Sequence, residues 1–294
     1  MSTHKAGYVS IIGNPNVGKS TLMNALVGEK ISIITSKAQT TRHRILGIVN
    51  GDDFQVILSD TPGIMKPEYK LQESMMQFVK GALEDADILI YMLEIGETSL
   101  KDEAFFEQLK NTDTPILLLI NKIDLSDQEN LEKSALYWKE QLPKAEIFPI
   151  SALKNFSIEE VFNRIVELLP ASPPYFPKDA LTDKPERFFV NETIREKILL
   201  NYQKEIPYSV EIETETFRED DSIIRIQAVI MVERESQKGI LIGHKGLALK
   251  KVGVQARADL EKFFEKQIHL ELFVKINKNW RSDVRQLKRF GYEQ

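Results

Sequence analysis

The 294 residues include no cysteine. That excludes disulfides and thiolate metal sites, and it fits a reducing compartment. No apolar run approaches the roughly 18–20 residues that a membrane-spanning helix needs. Met1-Ser2-Thr3-His4-Lys5 lacks the apolar core of a secretory signal peptide. A cytoplasmic protein is expected. There is no internal repeat and no low-complexity tract, which leaves ordinary domain folds. Nor does one sign of charge dominate. Lys and Arg number 39 against 44 Asp and Glu, a net charge of −5, so the chain as a whole does not advertise nucleic-acid binding. An average can hide a basic face, so charge is read by region. What is present, 42% hydrophobic and 28% charged residues, describes a soluble globular protein. The length suits one large domain or two ordinary ones.

From Tyr8 to about Leu169, short β-branched runs alternate with longer amphipathic segments. The strands expected are 8–12, 45–49, 54–58, 88–93, 115–120 and 145–150; the helices are 19–27, 71–83, 101–110, 130–141 and 158–168. Several strands are apolar on both faces, as in a mostly parallel sheet covered by helices. Asn50-Gly51-Asp52 is a tight-turn signal, so one strand pair is expected to be antiparallel. The pattern predicts a doubly wound α/β domain. Pro170 to Pro177 then carries four prolines and reads as a stiff, extended linker. Beyond it a helix near 187–203 precedes alternating strands at 209–216 and 223–233, helices flank Gly243 to Gly246, and a strand follows at 268–276. The expected organisation is a first domain over residues 1–172, a linker over 173–184 and an α+β domain over 185–294 with a basic C-terminal tail.

Gly13-Asn14-Pro15-Asn16-Val17-Gly18-Lys19-Ser20, followed by Thr21, begins where the first strand ends and opens the first helix. This is the strand–loop–helix context of a phosphate-binding loop. Gly13 and Gly18 let the backbone curl so that N–H groups form an anion nest at a helix N-terminus. Lys19 can reach β- and γ-phosphate oxygens, and the Ser20 hydroxyl can ligate Mg²⁺. Three more motifs fall at strand ends, where α/β folds bind ligands. In Asp60-Thr61-Pro62-Gly63, Asp60 can hold Mg²⁺ through water and the Gly63 N–H can meet a γ-phosphate. In Asn121-Lys122-Ile123-Asp124, the Asp124 carboxylate can accept from N1–H and the 2-amino group of guanine, which adenine cannot offer. A site built to pair such donors discriminates by roughly 10⁴-fold or more. Ser151 and Ala152 close the set, with backbone N–H groups expected to be available to the guanine O6. Taken singly, the second motif could be a turn and the third a helix cap. Together they specify GTP rather than ATP, and residues 5–170 resemble the translation-factor-related class of GTPases.

In that class a threonine between the phosphate loop and Asp60 meets Mg²⁺ and the γ-phosphate, ordering its loop in the triphosphate state. Thr40 and Thr41 compete for the role. Thr41 is favoured because related bacterial GTPases keep a Thr-Arg pair, here Thr41-Arg42. Ras-like enzymes carry a water-orienting glutamine directly after the Gly63 equivalent. Here that position is Ile64, which cannot orient water, so a slow intrinsic rate or another group is expected. In related bacterial GTPases an asparagine at the Asn16 position ligates K⁺ beside the phosphates, and the resemblance implies the same here. Lys19, Thr41, Gly63 and Asn16 are therefore the candidate catalytic set.

The second domain contains Ile242-Gly243-His244-Lys245-Gly246, the Gly-x-x-Gly loop of a KH domain, followed by Lys250 and Lys251. The glycines permit close approach to a sugar-phosphate chain. Ile240, Ile242, Leu247 and Leu249 can line a groove for unstacked bases. The helix–strand–strand–helix–loop–helix–strand order is similar to the prokaryotic-type KH fold, and single-stranded RNA is the expected partner. Basic residues from Lys275 to Arg289 suggest a phosphate-binding face, while Trp280 is expected to anchor the tail.

A GTPase domain, a Pro173-Pro174-Tyr175-Phe176-Pro177 linker and a KH domain, with Gln39-Thr40-Thr41-Arg42 and the segment from Val274 to Asp283, closely resemble the Era family of bacterial GTPases. The resemblance spans essentially the whole chain. It implies GTP/GDP and Mg²⁺ as ligands, binding to the 3′ end of 16S rRNA, and a role in assembly and maturation of the 30S ribosomal subunit. It also implies peripheral association with the inner membrane; a monomer is expected. Two other readings stay open on the residues: an RNA scaffold that binds GTP and scarcely hydrolyses it, motivated by Ile64, and an ATP-dependent small-molecule kinase, disfavoured by Asp124.

Overall fold

The computed structural model describes residues 4–292. Met1 to Thr3, part of the stretch read above for a signal peptide, and Glu293 and Gln294, at the end of the expected second domain, lie outside the described residues. The chain forms two compact units that change at Asp183/Lys184, except that Tyr69–Leu71 group with the second.

In the first unit the elements run β1 (Lys5–Ile12), α1 (Lys19–Val27), β2 (Ile45–Asn50), β3 (Phe54–Asp60), α2 (Lys70–Glu84), β4 (Ile88–Glu94), α3 (Glu103–Asn111), β5 (Ile116–Asn121), α4 (Gln128–Gln141), β6 (Glu146–Pro149) and α5 (Ile158–Leu168). The sheet order is β2-β3-β1-β4-β5-β6. Every pair is parallel except β2–β3, whose register Asn50↔Gln55 closes on the expected Asn-Gly turn. Runs such as Ile116–Asn121 are buried along their whole length because helices cover both faces. The strand order reverses between β1 and β4, so the crevice at the carboxyl ends of the strands opens beside Ile12. Helix starts follow their caps. α3 begins at Glu103 because Asp102 accepts from the N–H groups of Ala104 and Phe105, and α4 begins at Gln128 because Asp127 accepts from Asn130.

The proline-rich segment runs as a strap along the outer edge of this sheet. Ile48 N–H donates to Leu181 O at 2.8 Å, Leu46 N–H to Asp183 Oδ1 at 3.0 Å, and Thr182 Oγ1 to Leu46 O at 2.7 Å. Gln55, fully buried on β3, accepts from the N–H groups of Tyr175 and Phe176 and donates to Phe176 O. The edge of β2 is thereby covered, which removes an open template for strand pairing.

The second unit comprises α6 (Glu186–Asn201), α7 (Ile206–Ser209), β7 (Glu211–Glu219), β8 (Ile223–Val232), α8 (Glu235–Ile242), α9 (Leu247–Phe264), β9 (Gln267–Ile276) and α10 (Val284–Arg289). The sheet order is β7-β8-β9, with β7–β8 antiparallel and β8–β9 parallel. The strand expected from Ser209 starts later because Pro207 sits in a helical turn, α7. Val190, Ile194 and Ile198 of α6 form the core with Ile224, Ile226 and Ile230 of β8 and Val252, Ala256 and Leu260 of α9. β8 alternates as far as Gln227 and is buried on both faces from Ala228 onward. The C-terminal segment is pinned nearby: Asn277 N–H donates to Val232 O, and Trp280 Nε1 to Ser209 O at 3.1 Å. Trp280 is fully buried and anchors the tail, as expected.

Candidate active site and RNA-facing loop

The four motifs of the first unit meet at the carboxyl edge of its sheet, around a cavity of about 570 Å³. Its lining includes Asn16, Gly18, Lys19, Ser20, Thr21, Thr41, Gly63, Asn121, Lys122, Asp124, Ser151 and Ala152. That volume suits a nucleotide. Gly18 adopts φ 106, and a Cβ there would strike Asn121 Nδ2, so glycine is required on both counts. Asn121 ties the site together: its Nδ2 donates to Val17 O at 2.7 Å and its Oδ1 accepts from Ala152 N–H at 2.9 Å.

Lys19 is buried, and its ammonium donates to Gly13 O at 3.1 Å and Asn14 O at 2.8 Å. Burial pulls its pKa down to about 8, against the upward pull of Asp60 and Glu97. A phosphate would supply the missing counter-charge. Ser20 Oγ donates to Asp60 Oδ2 at 2.7 Å and lies 2.9 Å from Thr41 Oγ1, which itself reaches Asp60 Oδ2 at 3.4 Å. Thr40 turns elsewhere, donating to Lys37 O at 2.6 Å and contacting Thr35 Oγ1. Of the two competing threonines, Thr41 is the one beside Ser20 and Asp60.

Asp60 is fully buried, and its Oδ1 has no hydrogen-bond partner among the described residues. Burial raises its carboxyl pKa, with Ser20, Lys19, Ser32 and Thr41 pulling the other way. An orphaned buried carboxylate oxygen beside two hydroxyls is an all-oxygen donor set that fits Mg²⁺. Thr61 faces inward and donates to Ile11 O at 2.7 Å, while Pro62 is buried behind it. Ile64 N–H donates to Gly13 O at 3.0 Å and its side chain is fully buried, so nothing at that position faces a hydrolytic water.

Asp124 Oδ1 accepts from Ser151 Oγ at 2.6 Å, which aims the carboxylate. Lys122 Nζ is paired with Glu94 at 2.5 Å. The expectation of free N–H groups for the guanine O6 needs correction: Ala152 N–H is donated to Asn121 Oδ1, and Ser151 N–H to Phe156 O. Asn14 also turns away from the cavity. Its amide donates to Ser99 O and accepts from Lys101 N–H, bracing the phosphate loop from behind. Pro15 lines the cavity beside Asn16, whose Nδ2 donates to Ser36 O at 3.0 Å. Sequence reasoning missed Leu125 and Leu153, which line the cavity at 73% and 75% exposure and offer apolar faces to a base. Their places directly after Asp124 and Ala152 were the available signal.

In the second unit Gly243 adopts φ 69 and ψ −178, a conformation essentially confined to glycine, and a Cβ there would lie 2.6 Å from the Ala248 Cβ. Gly246 adopts φ 76 with open space around it. His244 and Lys245 project between them, exposed, and Lys250 and Lys251 are exposed on α9. Ile242 is half-buried at the end of α8, while Ile240 and Leu247 are 51% and 62% exposed. The basic face expected along the tail is smaller than its sequence suggests. Arg281 bonds Glu233 at 2.9 Å, Arg289 bonds Glu213 at 2.5 Å, and Lys275 bonds Glu215 at 2.7 Å. These partners lie far upstream, on or beside the strands.

Among the described residues, no helix is long and apolar enough to cross a membrane. A family model described as "50S ribosome-binding GTPase" matches residues 8–122, and one described as "KH domain" matches residues 205–281. GTPase Era of Thermoanaerobacter sp. (strain X514) is 46% identical over 292 residues, covering 98% of this chain and 97% of that protein. GTPase Era of Alkaliphilus metalliredigens (strain QYMF) is 44% identical over 294 residues, covering 99% and 100%. Two solved structures superpose with a TM-score of 0.94 at 38% identity, covering 99% of this chain and 100% of theirs. One is Era in complex with MgGDPNP and nucleotides 1506–1542 of 16S ribosomal RNA; the other is a variant of Aquifex aeolicus Era bound to GDP·AlF4⁻.

Proposed function

The chain belongs to the Era family of GTPases, and from that premise we propose a GTP-driven switch whose nucleotide state governs how its KH domain presents an RNA groove. The RNA is the 3′ end of 16S rRNA, and the process is assembly and maturation of the 30S subunit. A near-identical fold in complex with that RNA supports this reading. The observation that carries it is the position of Thr41. It lies against Ser20 and Asp60, and β2, which starts at Ile45, is bonded to the strap that leads into α6.

The residues divide the work. The backbone of Gly13 to Ser20 cradles the phosphates, and the Lys19 ammonium, desolvated beforehand, gains its counter-ion there. Asp124 reads the guanine N1–H and 2-amino group, while Leu125 and Leu153 cover the ring. Ser20, Thr41 and Asp60 would hold Mg²⁺, which when bound would neutralise phosphate charge. The Gly63 N–H meets the γ-phosphate. Asn16 would hold K⁺, which would supply part of the positive charge that an arginine finger supplies elsewhere. With Ile64 buried, no side chain at that position orients water, and intrinsic hydrolysis is slow.

In this reading residues 1–172 are the GTPase domain, 173–184 the connecting strap and 185–294 the RNA-binding domain. Ile242 to Gly246, Lys250 and Lys251 contact the RNA. The protein acts as a monomer in the cytoplasm, with peripheral contact at the inner membrane following from the family resemblance. Single-turnover GTP hydrolysis measured with and without the rRNA 3′ end tests the switch. Acceleration by RNA is expected. A rate indifferent to RNA, and close to zero, would favour a GTP-binding scaffold.

A further inference from the structure

Ser32 lies between the buried residues Ile31 and Ile33 and is itself 1% exposed. Its backbone is clamped from both sides by Asn24 of α1. The Asn24 Oδ1 accepts from the N–H groups of Ile31 at 3.0 Å and Ser32 at 2.9 Å, and its Nδ2 donates to Ser32 O at 2.7 Å. Ser32 is therefore a fixed point at the root of the loop that carries Thr41. Its hydroxyl has no hydrogen-bond partner among the described residues. The Asp60 Oδ1 is likewise buried and partnerless. The two side chains are near neighbours, since the Ser32 hydroxyl is one of the groups that help to stabilise the Asp60 carboxylate.

Neither oxygen makes a hydrogen bond of good geometry, although the Ser32 hydroxyl lies close enough to Asp60 to favour its charged form; buried polar groups nearly always find a full partner. Bringing them together suits a bridging water, which needs two or more polar partners. The same spot adjoins Ser20 and Thr41, through which Asp60 is already tied to the phosphate loop.

We propose that Ser32 is a positioning residue of the Mg²⁺ site, its Oγ and the Asp60 Oδ1 together holding a water of the metal's shell. The proposal rests on Ser20, Thr41 and Asp60 being the Mg²⁺ residues. Asn24 gives Ser32 its precision, since the clamp fixes the backbone that carries the hydroxyl. Ser32 thus ties metal retention to the immobile root of the loop, independently of Thr41.

The test is release of a fluorescent GDP analogue from the full chain as a function of free Mg²⁺, in the parent and in Ser32→Ala. Groups that orient metal ligands typically contribute 10- to 100-fold in affinity. The expected result is that the half-effective Mg²⁺ concentration rises about tenfold in Ser32→Ala. Reading that concentration rather than the rate cancels any metal-independent loosening of the variant. A half-effective concentration within about twofold of the parent's would overturn the proposal, because tenfold is the least it predicts. A parent whose GDP release ignores Mg²⁺ would overturn the metal site itself, and this proposal with it.

Discussion

The N–H of Leu46 donates to the Asp183 carboxylate across 3.0 Å. Leu46 follows Thr41 by five residues, and Asp183 immediately precedes the residue at which the second unit begins. One hydrogen bond thus joins the strand that follows Thr41, the proposed γ-phosphate sensor, to the last residue before the second unit. Thr182 Oγ1 bonds Leu46 O in the same place, so both polar groups of Leu46 are held by the strap. In the proposed switch, a shift of β2 with Thr41 would reach this segment through these two bonds. In Thr182→Val/Asp183→Ala, GTP turnover is expected to persist and thermal stability to fall modestly, by about 1 kcal/mol per lost bond. The ratio of RNA affinities in the GTP and GDP states should collapse toward one, as read by filter binding or anisotropy. A ratio unchanged from the parent's would place the coupling elsewhere.

Asp124, aimed by Ser151, is the proposed reader of the guanine base. Asp124→Asn replaces a double acceptor with an amide that suits the 2-oxo group of xanthine. GTP affinity should fall by roughly 10⁴-fold while XTP gains. Competition between the two nucleotides for one fluorescent ligand measures this, and retained GTP affinity would refute the base-reading role.

Asn16 lies over the phosphate-loop side of the cavity and contacts Ser36 in the loop ahead of Thr41. GTP turnover should be faster in K⁺ than in Na⁺ at matched ionic strength, and Asn16→Ala should remove the difference. Equal rates in the two salts for the parent would dismiss a monovalent-ion role.

Lys19 couples nucleotide binding to pH. Burial depresses its pKa to about 8, so above that pH the nucleotide-free protein carries a neutral amine. A bound phosphate favours the ammonium, and binding above pH 8 therefore takes up a proton. Affinity should weaken with rising pH, by at most about tenfold per unit. Stability of the nucleotide-free fold moves the other way. The unfolded chain keeps this proton to about pH 10.4, so between pH 8 and that value the folded state binds fewer protons and gains stability as pH rises. Calorimetry at pH 8.8 in buffers of different ionisation enthalpy reads the proton uptake; identical heats would contradict it.

Much of this was legible in the residues because local rules and global fold agree. A β-branched strand, a glycine-bounded loop and an amphipathic helix from Lys19 to Val27 announce the phosphate cradle, and the helix has those limits. Each further motif stands at a strand end, where the sheet delivers it to one crevice. What escaped depends on partners distant in sequence. Arg281 and Arg289 look free until the fold brings Glu233 and Glu213, 48 and 76 residues away, against them. Asn14 belongs to the phosphate loop by sequence, yet Ser99 and Lys101 draw its side chain away. The strap reads in sequence only as a stiff, extended linker because prolines suppress the strand signal, while its bonds to β2 come from flanking residues such as Leu181 and Thr182.

The most direct measurement is the affinity of the full chain for an RNA of the 16S 3′ end, first loaded with a non-hydrolysable GTP analogue and then with GDP. Gly246→Asp serves as control: its surroundings are open, and aspartate is among the side chains that enter αL most readily, at a local cost in backbone strain, so it should keep GTP and lose RNA in both states. A coupled switch predicts that the parent binds RNA with affinities differing about 5- to 150-fold between the two nucleotides. Equal affinities, with both nucleotides verified as bound, would contradict it.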